Sequence, residues 1–176
     1  SAKAYQGFYN NTIVDLENGK KIVIINIPQG IQAQDIFSIL LKKRVLFFGY
    51  AGSLNEMYGI GTVWEIEDAI RSDGSKSTLV RTHMFPSVTG GYSPCMLGDL
   101  ADYHCEMARK NQCDIVDMEI AYCAAAAEVN DNTFSAWALI TDIPGLINFW
   151  EVPPEMQADM QNGVERVLAA IKEFCK

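Results

Sequence analysis

Short apolar runs of strand character alternate with amphipathic helical stretches along this chain, and that alternation restricts its fold more than any other feature. It is the pattern of an α/β protein, in which helices cover the faces of a sheet. Residues 21–27 (KIVIINI) read as the first strand. Residues 31–43 follow as a helix with Ile36, Phe37, Leu40 and Leu41 on one face. Residues 45–48 are continuously apolar, as in a strand buried on both faces, and 61–70 read as a further strand. Asp73, Gly74 and Ser75 make a turn, after which 77–84 resume the sheet. Residues 86–94, with Gly90, Gly91 and Ser93, read as a loop. A helix over 99–111 aligns Leu100, Tyr103 and Met107, and a short strand ends at Ile115 and Val116. An alanine-rich helix covers 117–128, and 134–141 (FSAWALIT) is an apolar strand ending at Asp142. Pro154 suits the first turn of a long closing helix whose face is Met156, Met160, Val164, Val167, Leu168, Ile171 and Phe174. No repeat or linker interrupts the pattern, so 1–176 reads as one domain.

The formal net charge of -8 argues against nucleic acid and anionic membrane as partners, since both need a basic patch. The densest basic run, Lys42-Lys43-Arg44, reads as a solvated helix end. No stretch approaches the ~18 apolar residues of a membrane span, and residues 1–5 lack a signal-peptide core. Cys95, Cys105, Cys113, Cys123 and Cys175 include no C-x-x-C pair, and His83 and His104 complete no ligand set. The expectation is reduced structural cysteines, no metal, no organic cofactor and a cytoplasmic location. Pro28-Gln29-Gly30 is not a dinucleotide-binding glycine loop, there is no phosphate-binding P-loop, and no nucleophile elbow surrounds Ser87 or Ser93.

Three segments carry candidate chemistry. Phe48-Gly49-Tyr50-Ala51-Gly52-Ser53-Leu54-Asn55 follows a buried strand, and its small residues let a backbone pass close to a ligand. The alternative is a plain exit from a strand. Ile115-Val116-Asp117-Met118-Glu119-Ile120-Ala121 puts two acids at a strand–helix junction. Capping of the helix accounts for Asp117 and leaves Met118 and Glu119 free to reach a ligand. Leu139-Ile140-Thr141-Asp142-Ile143-Pro144-Gly145 ends a strand on an acid, the position where α/β sheets bind ligands. Burial there raises a carboxyl pKa and keeps a proton available, although an Asp opening a turn before Pro-Gly is the plainer explanation.

Taken in order, these segments resemble the purine nucleoside phosphorylase and nucleosidase superfamily, above all its methylthioadenosine/S-adenosylhomocysteine nucleosidases. The family pattern is a strand ending G-[ST]-[AC]-G, a G-D-[VI]-V strand, a [VA]-x-M-E-x-x-[AG] helix start and a strand ending S-D. Here these read Gly49-Tyr50-Ala51-Gly52, Gly61-Thr62-Val63-Trp64, Val116-Asp117-Met118-Glu119-Ile120-Ala121-Tyr122 and Thr141-Asp142, and the resemblance spans residues 4 to 175. It implies a three-layer αβα fold around a central mixed β-sheet, and cleavage of the N-glycosidic bond of a purine nucleoside. By the same resemblance Asp142 is the general acid at purine N7 and Glu119 grips the ribose hydroxyls. Met118 packs on the sugar, and Ala51 and Gly52 wall the base. Asp117, Tyr50 and Phe85 complete the candidate substrate-binding set, with Tyr92 a second candidate for stacking on the base. A homo-oligomer, dimer or hexamer, is implied too.

The departures narrow the chemistry. The family's opening strand, which carries an acidic or glycine/arginine-rich loop, has no counterpart here, and neither does the nucleosidases' water-activating Glu. Where the phosphorylases place an Arg ahead of the glycine segment this chain has Phe47, and Tyr50 replaces a small hydroxyl residue. Hydrolysis is therefore expected over phosphorolysis. The alternative is a non-catalytic or repurposed member that binds a nucleoside or another small ligand.

Overall fold

The computed structural model describes residues 2–5, 11–16, 18–94 and 101–175. Three strands come first: β1 (Ala2–Tyr5), β2 (Asn11–Asp15) and β3 (Lys21–Ile25). They pair antiparallel in the order β1-β2-β3 as a sheet of their own. A 3-10 helix, Gly30–Ser38, leads into β4 (Arg44–Ser53), β5 (Val63–Arg71), β6 (Lys76–Thr78) and β7 (Ser87–Ser93). Then come α1 (Ala101–Lys110), β8 (Ile115–Val116), α2 (Ile120–Val129), β9 (Thr133–Asp142), a short 3-10 turn (Phe149–Glu151) and α3 (Pro154–Phe174). The six later strands form one mixed sheet ordered β6-β5-β7-β8-β4-β9, and a further antiparallel pairing of β5 with β9 rolls it closed.

The sheet lies between two helical layers, so the α/β class and the αβα layering read from the sequence are the observed ones. Side-chain alternation along β9 shows why. Phe134, Ala136, Ala138 and Ile140 point into the main core, whose helical side includes Ile120, Cys123, Ala124 and Ala127 of α2 and Ala33, Ile36 and Phe37 of the 3-10 helix. Trp137 and Leu139 point the other way, to Val63, Phe85 and Val167. Farther along that second face, Tyr92 and Val116 pack on Cys105 and Ala108 of α1. Close backbone approach docks α3: a Cβ on Gly163 would lie 2.5 Å from Leu139 and 2.6 Å from the Gly61 carbonyl oxygen, and one on Gly61 would meet the Asp159 backbone.

Several expectations from the sequence are corrected. The strand foreseen at 21–27 ends at Ile25 and belongs to the small sheet rather than the central one. The helix foreseen at 31–43 is the 3-10 helix Gly30–Ser38, so Leu41, predicted inside, is 57% exposed. The strand at 45–48 extends through Ser53 and takes the glycine segment into its body. The sheet does not resume across 77–84; only Lys76–Thr78 pairs there, and the segment after it wraps Glu65. The loop foreseen at 86–94 is the buried strand β7. Its glycines serve packing, since a Cβ on Gly90 would press on Cys113 and one on Gly91 on Ile66. In α1 the buried residues are His104, Cys105 and Ala108, not Tyr103, while Asp99, Leu100 and Cys95 lie outside the described residues. Along α3, Val167 and Gly163 are buried but Leu168 is exposed. The basic run is solvated only in part, because the Arg44 guanidinium stacks 3.8 Å over the Phe174 ring. Cys105, Cys113, Cys123 and Cys175 are free thiols. No helix among the described residues is long and apolar enough to cross a membrane.

Glu65 is the buried charge that organises one end of this sheet, and it did not stand out in the sequence. It accepts the backbone amides of Thr82, His83, Met84 and Phe85 and the Thr82 hydroxyl, with Arg81 Nε 3.6 Å away. Burial opposes the charge, but the hydrogen bonds from Thr82, Phe85, Met84 and His83 outweigh it and hold the carboxyl below its ordinary range. A group with a lowered folded pKa stabilises above its unfolded pKa, and that contribution is lost as pH falls through the folded value. Glu65→Ala is expected to cost about 3–5 kcal/mol, because four amides lose their acceptor and Arg81 loses one of its two ion-pair partners. A urea midpoint within experimental error of wild type, at unchanged slope, would contradict this role.

Candidate functional site

Three strand ends meet at Gly52. In β4 it pairs with Val116 of β8 on one side and with Asp142 of β9 on the other. Neighbouring strands are about 4.8 Å apart, so the β8–α2 junction and the acid closing β9 are held about 10 Å from each other across one glycine. The register shifts between Ala51 and Gly52, where β9 carries one extra residue; this turns Asp142 onto the face of Gly52. A Cβ at Gly52 would lie 2.9 Å from Asp142 Oδ2 and as close to Pro144. Gly52 is thus the space in which the Asp142 carboxyl sits.

Asp142 is half-buried, and its Oδ1 accepts the Thr141 hydroxyl at 2.9 Å. Burial pushes its pKa up against that hydrogen bond. Asp117 is buried and works locally. Its Oδ2 takes the amides of Glu119 (2.8 Å) and Ile120 (2.6 Å), its Oδ1 takes the Ser93 hydroxyl, and Ser93 Oγ in turn accepts the Ala121 amide. Desolvation pushes the Asp117 carboxyl up to about 7 despite the donors from Ser93, Ile120 and Glu119. The capping reading therefore accounts for Asp117, and its oxygens are committed to the protein. Glu119, at the residue before α2, is half-buried, and its Oε1 accepts the Gly30 amide at 2.6 Å. Burial raises its pKa, with the Gly30 bond opposing.

The remaining candidates divide. Met118 is half-buried between the two acids in sequence. Tyr50 lies two residues from Gly52 on the same face of β4, 53% exposed, with its ring stacked on Phe149 at 6.3 Å. Ala51 turns its methyl into the main core, so only its backbone borders the junction. Phe85 does not join the site: it packs on Trp137, five residues before Asp142 and about 16 Å back along β9. Tyr92 is buried against α1 with its ring 6.3 Å from that of His104. Two partners of the acids were not singled out in the sequence. Ser93 stood in a stretch whose glycines signalled a loop, and Gly30 is 89 residues from Glu119. An open depression of about 610 Å³ beyond β4, lined in part by Asn55, Glu56, Arg109 and Asp114, touches none of the three acids. Among the described residues no group of His, Cys, Asp or Glu is placed to hold a metal.

This fold has solved counterparts. A Campylobacter jejuni 5′-methylthioadenosine/S-adenosylhomocysteine nucleosidase matches with a TM-score of 0.82 at 11% identity, over 99% of this chain and 89% of that one. A futalosine hydrolase mutant of Helicobacter pylori matches with a TM-score of 0.81 at 13% identity, over 98% and 89%. The chain has the nucleosidase fold. The 5′-methylthioadenosine/S-adenosylhomocysteine nucleosidase of Helicobacter pylori, solved with butyl-thio-DADMe-Immucillin-A, shares that nucleosidase fold with a TM-score of 0.79 at 12% identity, over 97% of this chain and 88% of that one. No protein-family model and no curated protein matches the sequence.

The burial of Asp117 makes a prediction about pH. A carboxyl with a raised folded pKa stabilises fully below its unfolded pKa, and that contribution is lost as pH rises through the folded value. For Asp117 the window runs from about 4, the ordinary carboxyl range, up to about 7. Asp117→Asn, which keeps an acceptor for the α2 amides, is expected to flatten that part of the stability–pH curve. Asp117→Ala is expected to cost about 2 kcal/mol through the lost cap. Chemical denaturation at pH 4, 5.5 and 7 measures both: an unchanged slope in Asp117→Asn would refute the raised pKa, and an unchanged midpoint in Asp117→Ala would refute the cap.

Proposed function

We propose that this protein hydrolyses the N-glycosidic bond of a purine nucleoside. The observation that carries the proposal is the half-buried Asp142, whose pKa burial raises, seated against Gly52 at the end of β9. A purine anion is a poor leaving group. As the C1′–N9 bond breaks and its electron pair moves to the base, Asp142 donates its proton to N7 and lowers the barrier. Glu119 accepts hydrogen bonds from ribose hydroxyls and supports the cationic sugar, with Met118 packed on its face. Water oxygen then bonds to C1′, its proton leaves to solvent, and Asp142 is reprotonated.

Water is favoured over phosphate as the acceptor because Arg44 and Arg81 are engaged elsewhere. Arg44 stacks on Phe174 at the opposite end of β4, and Arg81 is paired with Glu65 and Glu67. Along β4 ahead of Gly52 the aromatic side chains are Phe47, buried in the main core, then Phe48 and Tyr50, none of which clamps an anion. The solved nucleosidases lend support: one, from Helicobacter pylori, carries 5′-methylthioadenosine in its active site. A homo-oligomer belongs to the same proposal, since Tyr50 stacks on Phe149 with both rings exposed, and Leu146 and Trp150, close by in the chain, are exposed as well. The location proposed is the cytoplasm, in keeping with the free thiols.

One observation favours a second reading, a nucleoside-binding protein without turnover. Asp117 is spent on capping, so activation of water falls to Glu119 or to a group beyond these three acids.

Asp142→Asn is expected to keep the circular dichroism spectrum and to lower base release 10²–10⁴-fold, roughly the range for general acid catalysis. Equal rates in mutant and wild type would remove Asp142 from the chemistry. A wild type that binds nucleosides in a calorimeter yet releases no base would establish the second reading. Base release is also expected to proceed without phosphate and to yield free ribose product. Strict dependence on phosphate with formation of ribose 1-phosphate would overturn the hydrolytic assignment.

A further inference from the structure

Gly30 and Glu119 are joined by one hydrogen bond across 89 residues of sequence, with the Gly30 amide donating to Glu119 Oε1 at 2.6 Å. Gly30 sits at φ +76°, a left-handed conformation natural to glycine, and opens the 3-10 helix Gly30–Ser38. The residue before it, Gln29, supplies no side-chain cap. Glu119 therefore serves an orphan amide of the 3-10 helix while standing at the first turn of α2. A nine-residue 3-10 helix is long for its kind and is held by poorly aligned bonds. What keeps this one in place is the packing of Ala33, Ile36 and Phe37 on the α2 side of the core, together with that single cap.

We propose that the Gly30 amide is a positioning group for Glu119: it holds the carboxylate against rotation at the α2 start and so couples sugar binding there to the 3-10 helix Gly30–Ser38. The inference rests on the reading of Glu119 as the sugar-binding carboxylate. An unheld glutamate would sample several rotamers, and ordering it would weaken sugar binding. With Oε1 fixed, that ordering is done before a ligand arrives. A sugar hydroxyl that bonds to Glu119 shares its acceptor with Gly30, so occupancy is felt at the start of the 3-10 helix.

Amide hydrogen exchange in the unliganded protein tests the coupling without any activity. Glu119→Ala is expected to speed exchange at Gly30 by about tenfold or more while the amides of β4 and β9 keep their wild-type rates. Glu119→Gln, whose side-chain oxygen still accepts, is expected to retain most of the protection. Wild-type exchange at Gly30 in Glu119→Ala would overturn the proposal. Calorimetric titration with adenosine and with adenine then tests the positioning. Gly30→Ala, strained at positive φ, is expected to weaken adenosine about tenfold and to leave adenine unchanged. Equal losses for both, or no loss for either, would overturn it. Where wild type binds neither, the nucleosidase proposal fails, and the exchange comparison alone then supports or overturns the Gly30–Glu119 coupling. Where Gly30→Ala fails to fold, the two Glu119 variants keep the coupling testable.

Discussion

The parallel pairing of β4 with β9 is the constraint on which the rest of this structure depends. The pairs run from Arg44 opposite Thr133 to Gly52 opposite Asp142, without a break until the shift after Ala51. Because the ladder is continuous, the residues inward on one strand are matched by residues inward on the other, and both helical layers find an apolar face. Its single irregularity falls at its end. There the extra residue in β9 aims Asp142 into the space left by Gly52, and β8 joins the other side of the same glycine. One pair of strands thereby sets both the packing of α2 and α3 and the arrangement of the candidate site.

Four acids show how environment assigns role. Glu65 is buried yet stays charged, because four amides and a hydroxyl converge on it. Asp117 is buried and receives three donors, two amides at the start of the helix that it caps and the Ser93 hydroxyl at the end of β7. Glu119 has one backbone donor, and Asp142 has one hydroxyl; both remain half-buried. The fewer internal partners an acid has, the more of its hydrogen-bonding capacity is left for a ligand or a transferred proton. On that measure Glu65 and Asp117 belong to the fold, while Glu119 and Asp142 keep the capacity that the proposed chemistry requires.

Much of this was legible in the sequence where local rules and tertiary demands agree. The run 134–141 is apolar on both faces because β9 is central, and an acid ending such a strand stands out. The Asp117 cap was legible because capping acts within three residues. The errors have a common source. Gly90 and Gly91 signalled a loop, but they serve close contact with Cys113 and Ile66, neighbours that only the fold supplies. Phe85 resembled a base-stacking residue until the wrap around Glu65 placed it under α3. Residues 31–43 carried a helical period, yet the observed segment is the tighter 3-10 form, pinned at its start from outside.

The sequence by itself determined the α/β class, the strand that ends in Asp142, the helix that starts behind Asp117 and the acidic surface. These follow from periodicity, capping and charge, which act over a few residues. Only the tertiary structure decided that the six-stranded sheet closes through β5 and β9, that Gly52 makes room for the Asp142 carboxyl, that Arg44 and Arg81 are engaged away from the site and that Gly30 holds Glu119. Each of those is a contact between residues distant in the chain. The partner of a buried polar group is fixed by where the backbone returns, and the one-dimensional pattern does not encode that.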